Sequence, residues 1–141
     1  MSSDSGTAAP EAPSVGQYPE GAEIETFKGS CNCGKFTFEF QHPSLHVKKP
    51  ISCNCTFCTK TGGVNVVALE SYFCLNGGPK SWDDIGKFVK KNKAFTQHFC
   101  PQCGCWMFWT GMGLVGVNIR MFDGIEVDKL SIDHFDGRNK L

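Results

Sequence analysis

The sequence predicts an all-β or nearly all-β domain. Two observations carry this: short apolar-polar alternating runs recur along the chain between Gly, Pro, Asn and Asp turns, and no long stretch shows helical period. From Ile24 the pattern begins with "IETFKGS". "KFTFEF" follows, with Phe36, Phe38 and Phe40 on one face and Lys35, Thr37 and Glu39 on the other. "HPSLHVKKP" is a loop closed by Pro50, and "ISCNC" leads into a cysteine cluster. "TFCTKTGG" can hold one helical turn before its glycine pair ends it. Further strands are expected at "VNVVAL", "YFCL", "IGKFVKK", "AFTQHF", "CWMFW", "LVGVNIR" and "LSIDHF".

At 141 residues the chain makes one small domain. Residues 1–22, rich in Ser, Ala, Pro, Gly and Glu, read as a disordered tail, and residues 23–141 as the folded unit. The tail has no apolar stretch of a secretory signal, so the expected location is the reducing cytoplasm. No apolar run approaches the ~18 residues of a membrane span. Fourteen basic and fourteen acidic side chains balance, which gives no electrostatic reason to expect nucleic acid or an anionic membrane as partner.

Nine cysteines dominate the chemistry, eight of them in three clusters: Cys31 and Cys33; Cys53, Cys55 and Cys58; Cys100, Cys103 and Cys105. In "FCPQCG" a Cys-x-x-Cys is followed by glycine. Two sulfurs on such a tight turn can reach one ion at about 2.3 Å while the glycine lets the backbone turn beneath them. One such knuckle supplies two ligands and needs two more from elsewhere. Disulfides would require an oxidising compartment, the spacings match neither ferredoxin pattern, and a thioredoxin-like pair would want a βαβ context. Zinc is the ion that spacing and context favour. Spacing alone leaves open whether eight thiols make two closed sites or whether one site keeps only three ligands. The choice matters because a closed site is scaffold and an open one can bind substrate.

"KGSCNCGKFTFEF", "SCNCTFCTKTGG", "HFCPQCGCWMF" and "GVNIRMFDG", in this order, resemble the glutathione-dependent formaldehyde-activating enzyme family, which includes the centromere protein V group. The resemblance covers about Glu25 to Arg138. It implies a zinc-stapled β-tent of short antiparallel strands with two Zn²⁺ per chain. Cys31, Cys33, Cys100 and Cys103 would hold a structural ion, and Cys53, Cys55 and Cys58 a catalytic one with an open fourth position. The implied activity is that of a carbon–sulfur lyase, adding the thiol of glutathione to formaldehyde and reversing the addition. Three thiolates leave Zn²⁺ with a formal charge of minus one, a poor setting for generating hydroxide. Such a site can still hold a substrate thiolate beside a carbonyl carbon. Deaminase chemistry is disfavoured because no His-x-Glu occurs.

Other residues have lesser claims. Cys105 departs from the family pattern; it reads as a small buried apolar side chain, and is also the thiol that could displace a ligand or close the open site. Cys74 reads as core. Alternation in "AFTQHFC" sets His98 on the face of Cys100, as a hydrogen-bonding partner of the structural site or a satisfied strand histidine. His42 and His46, beside prolines, are expected to be solvated, and nothing points to His134. "CWMFW" reads as core before pocket. "KFVKKNK" reads as a solvated strand edge, though its lysines could meet glutathione carboxylates. Lys60, Gly62 and Gly63, just after the triplet, are candidates for a pocket wall. The rival readings are the same open zinc acting on another small molecule, and a non-catalytic interaction module with two structural metals. A chromatin-binding version of the latter is disfavoured by a tail with Asp4, Glu11, Glu20 and Glu23 and no basic residue before Lys28.

Overall fold

A computed structural model describes residues 16–90 and 93–140. Among these residues ten strands are present: β1 Ile24–Ser30, β2 Thr37–Pro43, β3 Ile51–Cys53, β4 Asn65–Leu69, β5 Phe73–Leu75, β6 Gly86–Val89, β7 Thr96–Phe99, β8 Trp106–Gly111, β9 Leu114–Asn118 and β10 Asp133–Phe135. They form a three-stranded sheet in the order β1-β2-β5 and a seven-stranded sheet in the order β10-β3-β4-β9-β8-β7-β6. The mainly β class and every expected strand are therefore present. The pairing is antiparallel with one exception to the expectation: β10 lies parallel to β3, with Phe135 opposite Cys53.

One core joins the two sheets. Phe36, Phe38 and Phe40 are all at most 2% exposed, as their alternation requires, and cluster with Met107, Phe108, Val115, Val117, Ile119 and Phe122. Phe73 of β5 bridges the sheets, its ring 4.5 Å from that of Phe108. Ordering one phenylalanine face against another in this way is worth roughly 0.5–1.5 kcal/mol per ring pair beyond area burial.

Four expectations need correction. Helix α1, Thr56–Thr61, is the expected single turn, but a second helix, α2 Gly78–Asp84, replaces what reads as a Gly-Gly-Pro turn. Pro79 occupies its first turn, where the missing N–H costs nothing, and seven residues are too few to show a period. A short α3, Gly137–Lys140, ends the described chain. Cys74 is exposed, because Phe73 and Leu75 take the inward positions of β5 and alternation turns the residue between them to solvent. His42 is fully buried: β2 runs on to Pro43, so His42 continues the inward register of Phe36, Phe38 and Phe40. His46 is exposed as expected. Residues 1–15 of the expected tail lie outside the described residues. Within its last part, Tyr18 packs on the domain, its ring 4.5 Å from that of Tyr72 and its hydroxyl donating to the Gln41 carbonyl.

Buried His42 makes stability depend on pH. Its Nδ1–H donates to the Pro43 carbonyl at 2.7 Å, its ring stacks on Phe40, and Nε2 is buried without a partner. Burial, with the Lys48 charge adding to it and the Pro43 bond opposing, pulls the imidazole down to about 4. The folded state thus takes up this proton later than the unfolded chain, whose histidine titrates near 6.5. The contribution is present in full above about pH 6.5 and is lost as pH falls toward 4, by on the order of 3 kcal/mol. Urea midpoints of the wild type and His42→Phe between pH 7.5 and 4.5 test this, since acid effects on the cysteine clusters are common to both proteins and cancel. The wild type should lose stability more steeply; parallel curves would refute the assignment.

Candidate metal centres and the cavities beside them

Four thiols from two distant segments meet at the first centre. The Sγ atoms of Cys31, Cys33, Cys100 and Cys103 all lie within 4.8 Å of one another. Cys31 and Cys33 stand 3.7 Å apart, and Cys33 and Cys100 3.6 Å. Tetrahedral coordination at ~2.3 Å sets sulfurs about 3.8 Å apart, so the donor set fits a zinc ion. Each pair rides on a tight turn closed by a glycine of positive φ, Gly34 at 79° and Gly104 at 81°. Gly34 N–H bonds to the Cys31 carbonyl and Gly104 N–H to that of Cys100. Backbone N–H groups also point at sulfur, Phe36 to Cys31 and Cys103 to Cys100, both at 3.4 Å. Such bonds stabilise thiolates. As free thiols the two members of the knuckle differ: backbone N–H groups, that of Cys105 first, hold Cys103 down to about 6, while burial pushes Cys100 up to about 12.

Cys105 lies beside this centre, half-buried against the core, where burial first and then the neighbouring Cys103 raise the pKa of its thiol. It does not join the second cluster. His98 is turned elsewhere. A bulge between His98 and Phe99 breaks the alternation that would align it with Cys100. Its Nε2 pairs with Thr110 Oγ1 at 2.9 Å, its Nδ1 has no partner, and its ring lies between Trp82 and Phe108.

The second centre is a cluster of three. Cys53, Cys55 and Cys58 bring their sulfurs within 4.8 Å of one another, and among the described residues no fourth Cys, His, Asp or Glu completes the set. Cys53 ends β3, Cys55 is the N-cap of α1 and Cys58 lies in its first turn. Cys58 N–H donates to Cys55 Sγ and Cys55 N–H to Cys53 Sγ, both at 3.4 Å. Burial works against the Cys55 thiolate, but the Cys58 N–H, the neighbouring thiols and the Lys90 charge outweigh it and lower the thiol's pKa. Burial and then the neighbouring Cys55 push Cys58 up to about 12. Three soft donors at this spacing fit a zinc ion with one position left over.

Two cavities open onto this cluster. One, of about 630 Å³, is the more polar; Cys53 and Cys58 line it together with Asn54, Gly62, Gly63, Arg120, His134 and Asp136, among others. The other, of about 260 Å³, is apolar; all three cysteines line it with Ile51, Val67, Phe95, Trp109, Leu114 and Phe135, and with Lys90 at its polar edge. Of the expected wall residues, Gly62 and Gly63 face the polar cavity, whereas Lys60 is exposed on α1 and lines neither.

The wall residues that sequence reasoning misses come from far along the chain. His134, Phe135 and Asp136 arrive because β10 pairs with β3 and Asn54 anchors the segment: its Nδ2 donates to Asp136 Oδ1 at 2.9 Å and its Oδ1 accepts from Arg138 N–H at 2.8 Å. Bonds from the Asn139 and Asn54 amides keep the Asp136 carboxyl below its ordinary value. Arg120 is placed by Asn118, whose Oδ1 accepts from Arg120 N–H and Val64 N–H while its Nδ2 donates to the Trp106 carbonyl. Arg120 Nε then donates to the Gly62 carbonyl at 3.2 Å.

Fold and site together define a mainly β domain with one four-thiol and one three-thiol cluster, each able to hold a metal ion. Residues 26–132 match the model of the glutathione-dependent formaldehyde-activating enzyme family, and the chain belongs to that family. A crystal structure of a Rhodobacter sphaeroides protein superposes with a TM-score of 0.66 at 20% identity, over 77% of this chain and 99% of that one. That likeness bears on the fold. No curated protein matches the chain. No helix among the described residues is long and apolar enough to cross a membrane.

Proposed function

We propose that the protein is a zinc-dependent carbon–sulfur lyase acting on thiol–carbonyl adducts, of the S-(hydroxymethyl)glutathione synthase type. The observation that carries this reading is a cluster of three thiols with no fourth ligand among the described residues, opening directly onto the larger, more polar cavity. Cys31, Cys33, Cys100 and Cys103 would hold a structural Zn²⁺, and Cys53, Cys55 and Cys58 a catalytic one. When bound at the triplet, zinc supplies a Lewis acid that favours the thiolate over the thiol of a substrate at its fourth position.

The chain's own residues do the rest. The polar cavity is large enough for a tripeptide thiol, and Arg120 presents there a planar guanidinium suited to a carboxylate. Gly62 and Gly63, without side chains, allow a peptide backbone to approach the wall. His134 lines the same cavity, and an imidazole is suited to passing the proton between the adduct hydroxyl and water. Addition forms the C–S bond and puts a proton on the former carbonyl oxygen; cleavage returns the electron pair to sulfur and releases that proton.

Exchange-sensitive NMR of glutathione with formaldehyde tests the activity. The zinc-loaded protein should speed adduct exchange well above buffer. No acceleration, with both metals resistant to chelation, would favour a non-catalytic module. Arg120→Ala should raise KM for glutathione by about tenfold with kcat changed far less, the size expected for one charge-assisted hydrogen bond. An unchanged KM would remove Arg120 from substrate recognition.

A further inference from the structure

We infer that the carbonyl half of the substrate is an apolar aldehyde of several carbons, seated in the 260 Å³ cavity that shares Cys53 and Cys58 with the cavity of Arg120; this rests on the lyase reading above. Two cavities of unlike character, one mixed and one apolar, meet at the triplet, since Cys53 and Cys58, with Phe135, line both. A thiol–carbonyl adduct likewise has two halves joined at the bond that reacts. The half bearing carboxylates matches the cavity with Arg120, which leaves the apolar cavity for the other half.

Size separates this from a formaldehyde pocket. Formaldehyde has two heavy atoms, whereas at ~30 Å³ per water-sized unit a space of this volume takes roughly six to ten. The space is also built into the sheet. Across neighbouring strands, Val67 of β4 stands opposite Gly116 of β9, and Gly116 opposite Trp109 of β8, so the three occupy one row. A Cβ at Gly116 would come within 2.1 Å of the Trp109 ring, so glycine is what allows that ring to lie flat on the sheet. Phe95 holds it from the other side in an edge contact, with centroids 4.9 Å apart. Val67, Leu114, Ile51 and Phe135 complete an alkyl- and aryl-lined wall. The polar groups that line it are Lys90, Asn65 and Gln97, the last buried and opposite Trp109 in the same row. Burying an alkyl chain here is favourable by the ordinary hydrophobic effect, and formaldehyde would leave most of the space to water.

The chemistry balances without a further reactant. In the cleavage direction the C–S bond of the hemithioacetal breaks with its electron pair going to sulfur, the hydroxyl proton leaves to water in the polar cavity, and the carbon becomes the aldehyde carbonyl.

The test compares glutathione adducts of pentanal and of formaldehyde by exchange NMR with the zinc-loaded protein, alongside Val67→Phe, which narrows the apolar cavity. The expected result is acceleration of pentanal exchange at least tenfold above that of formaldehyde, with the ratio falling at least tenfold in the variant; Ile51→Phe replaces it should Val67→Phe fail to fold. Acceleration of formaldehyde alone would overturn the inference and leave the lyase reading standing. Acceleration of neither adduct would overturn the lyase reading. In that case binding of S-pentylglutathione against S-methylglutathione, followed by tryptophan fluorescence, decides the cavity: a tenfold preference for the pentyl group supports an alkyl site, and equal binding overturns it.

Discussion

Cys55→Ser is expected to lower the metal content from two zinc ions per chain to one and to abolish adduct exchange while leaving the domain folded. The serine hydroxyl can still accept the Cys58 N–H that Cys55 Sγ accepts at 3.4 Å, because serine is among the best N-cap residues, so α1 should persist. The loop around it has other anchors: Asn54 N–H bonds to the Phe135 carbonyl, and the Asn54 side chain binds Asp136 and Arg138. What serine cannot do is supply the third soft ligand, and two thiolates hold zinc too weakly to stay loaded. Exchange should fall by more than the ~10²-fold at the upper end for altering a residue outside the ligand set. Metal analysis, exchange NMR and near-ultraviolet circular dichroism on one preparation check all three statements. Two zinc ions retained would show that Cys55 is not a ligand, and a collapsed dichroism spectrum would make the triplet scaffold.

The features legible in the sequence were those set by local spacing. Nine of the ten strands could be read from alternation and turn residues, all but three-residue β3, and the cysteine pairs from separations of one or two residues, since both depend on the geometry of a single strand or turn. His42 and Cys74 misled for a related reason. Type alone makes a histidine near prolines look solvated and a cysteine among apolar neighbours look buried, whereas carrying the Phe36, Phe38, Phe40 register two residues further places His42 inside. Flanking Cys74 with inward Phe73 and Leu75 places it outside. Register outweighs residue preference when a strand has one buried face.

Beyond Gly62 and Gly63, nothing local could reveal the cavity walls. His134 and Asp136 reach the triplet through a parallel β10–β3 pairing between segments some eighty residues apart, and three-residue strands carry almost no pattern. Trp109 reads as core in "CWMFW", and its neighbours Met107 and Phe108 are core; the glycine opposite it, Gly116, is what turns its position into a cavity wall. The bulge after His98 is likewise a tertiary feature, and it detaches that histidine from the thiols to which simple alternation would assign it.

Cys100→Ser is expected to unfold the domain rather than silence it. Cys31 and Cys33 follow β1 of the three-stranded sheet, while Cys100 and Cys103 lie between β7 and β8 of the seven-stranded sheet, so an ion shared by the four would clamp one sheet to the other. Both Cys31 and Cys100 belong to the buried core, at 2% and 0% exposure, and a serine hydroxyl at position 100 would be buried as well. Structural zinc sites contribute on the order of 10 kcal/mol to folding, against a typical net stability of about 5–15 kcal/mol. Loss of one ligand therefore removes a large part of what holds the sheets together, and the variant should show no cooperative melting transition above room temperature. A strong chelator added to the wild type should produce the same state. Cys74→Ser is the matched control: its thiol is exposed and outside both clusters, so its melting midpoint should match the wild type. Were Cys100→Ser to retain two zinc ions and the wild-type midpoint, half-buried Cys105 beside Cys103 would be the thiol to test as the replacement ligand, and the clamp would rest on a different fourth sulfur.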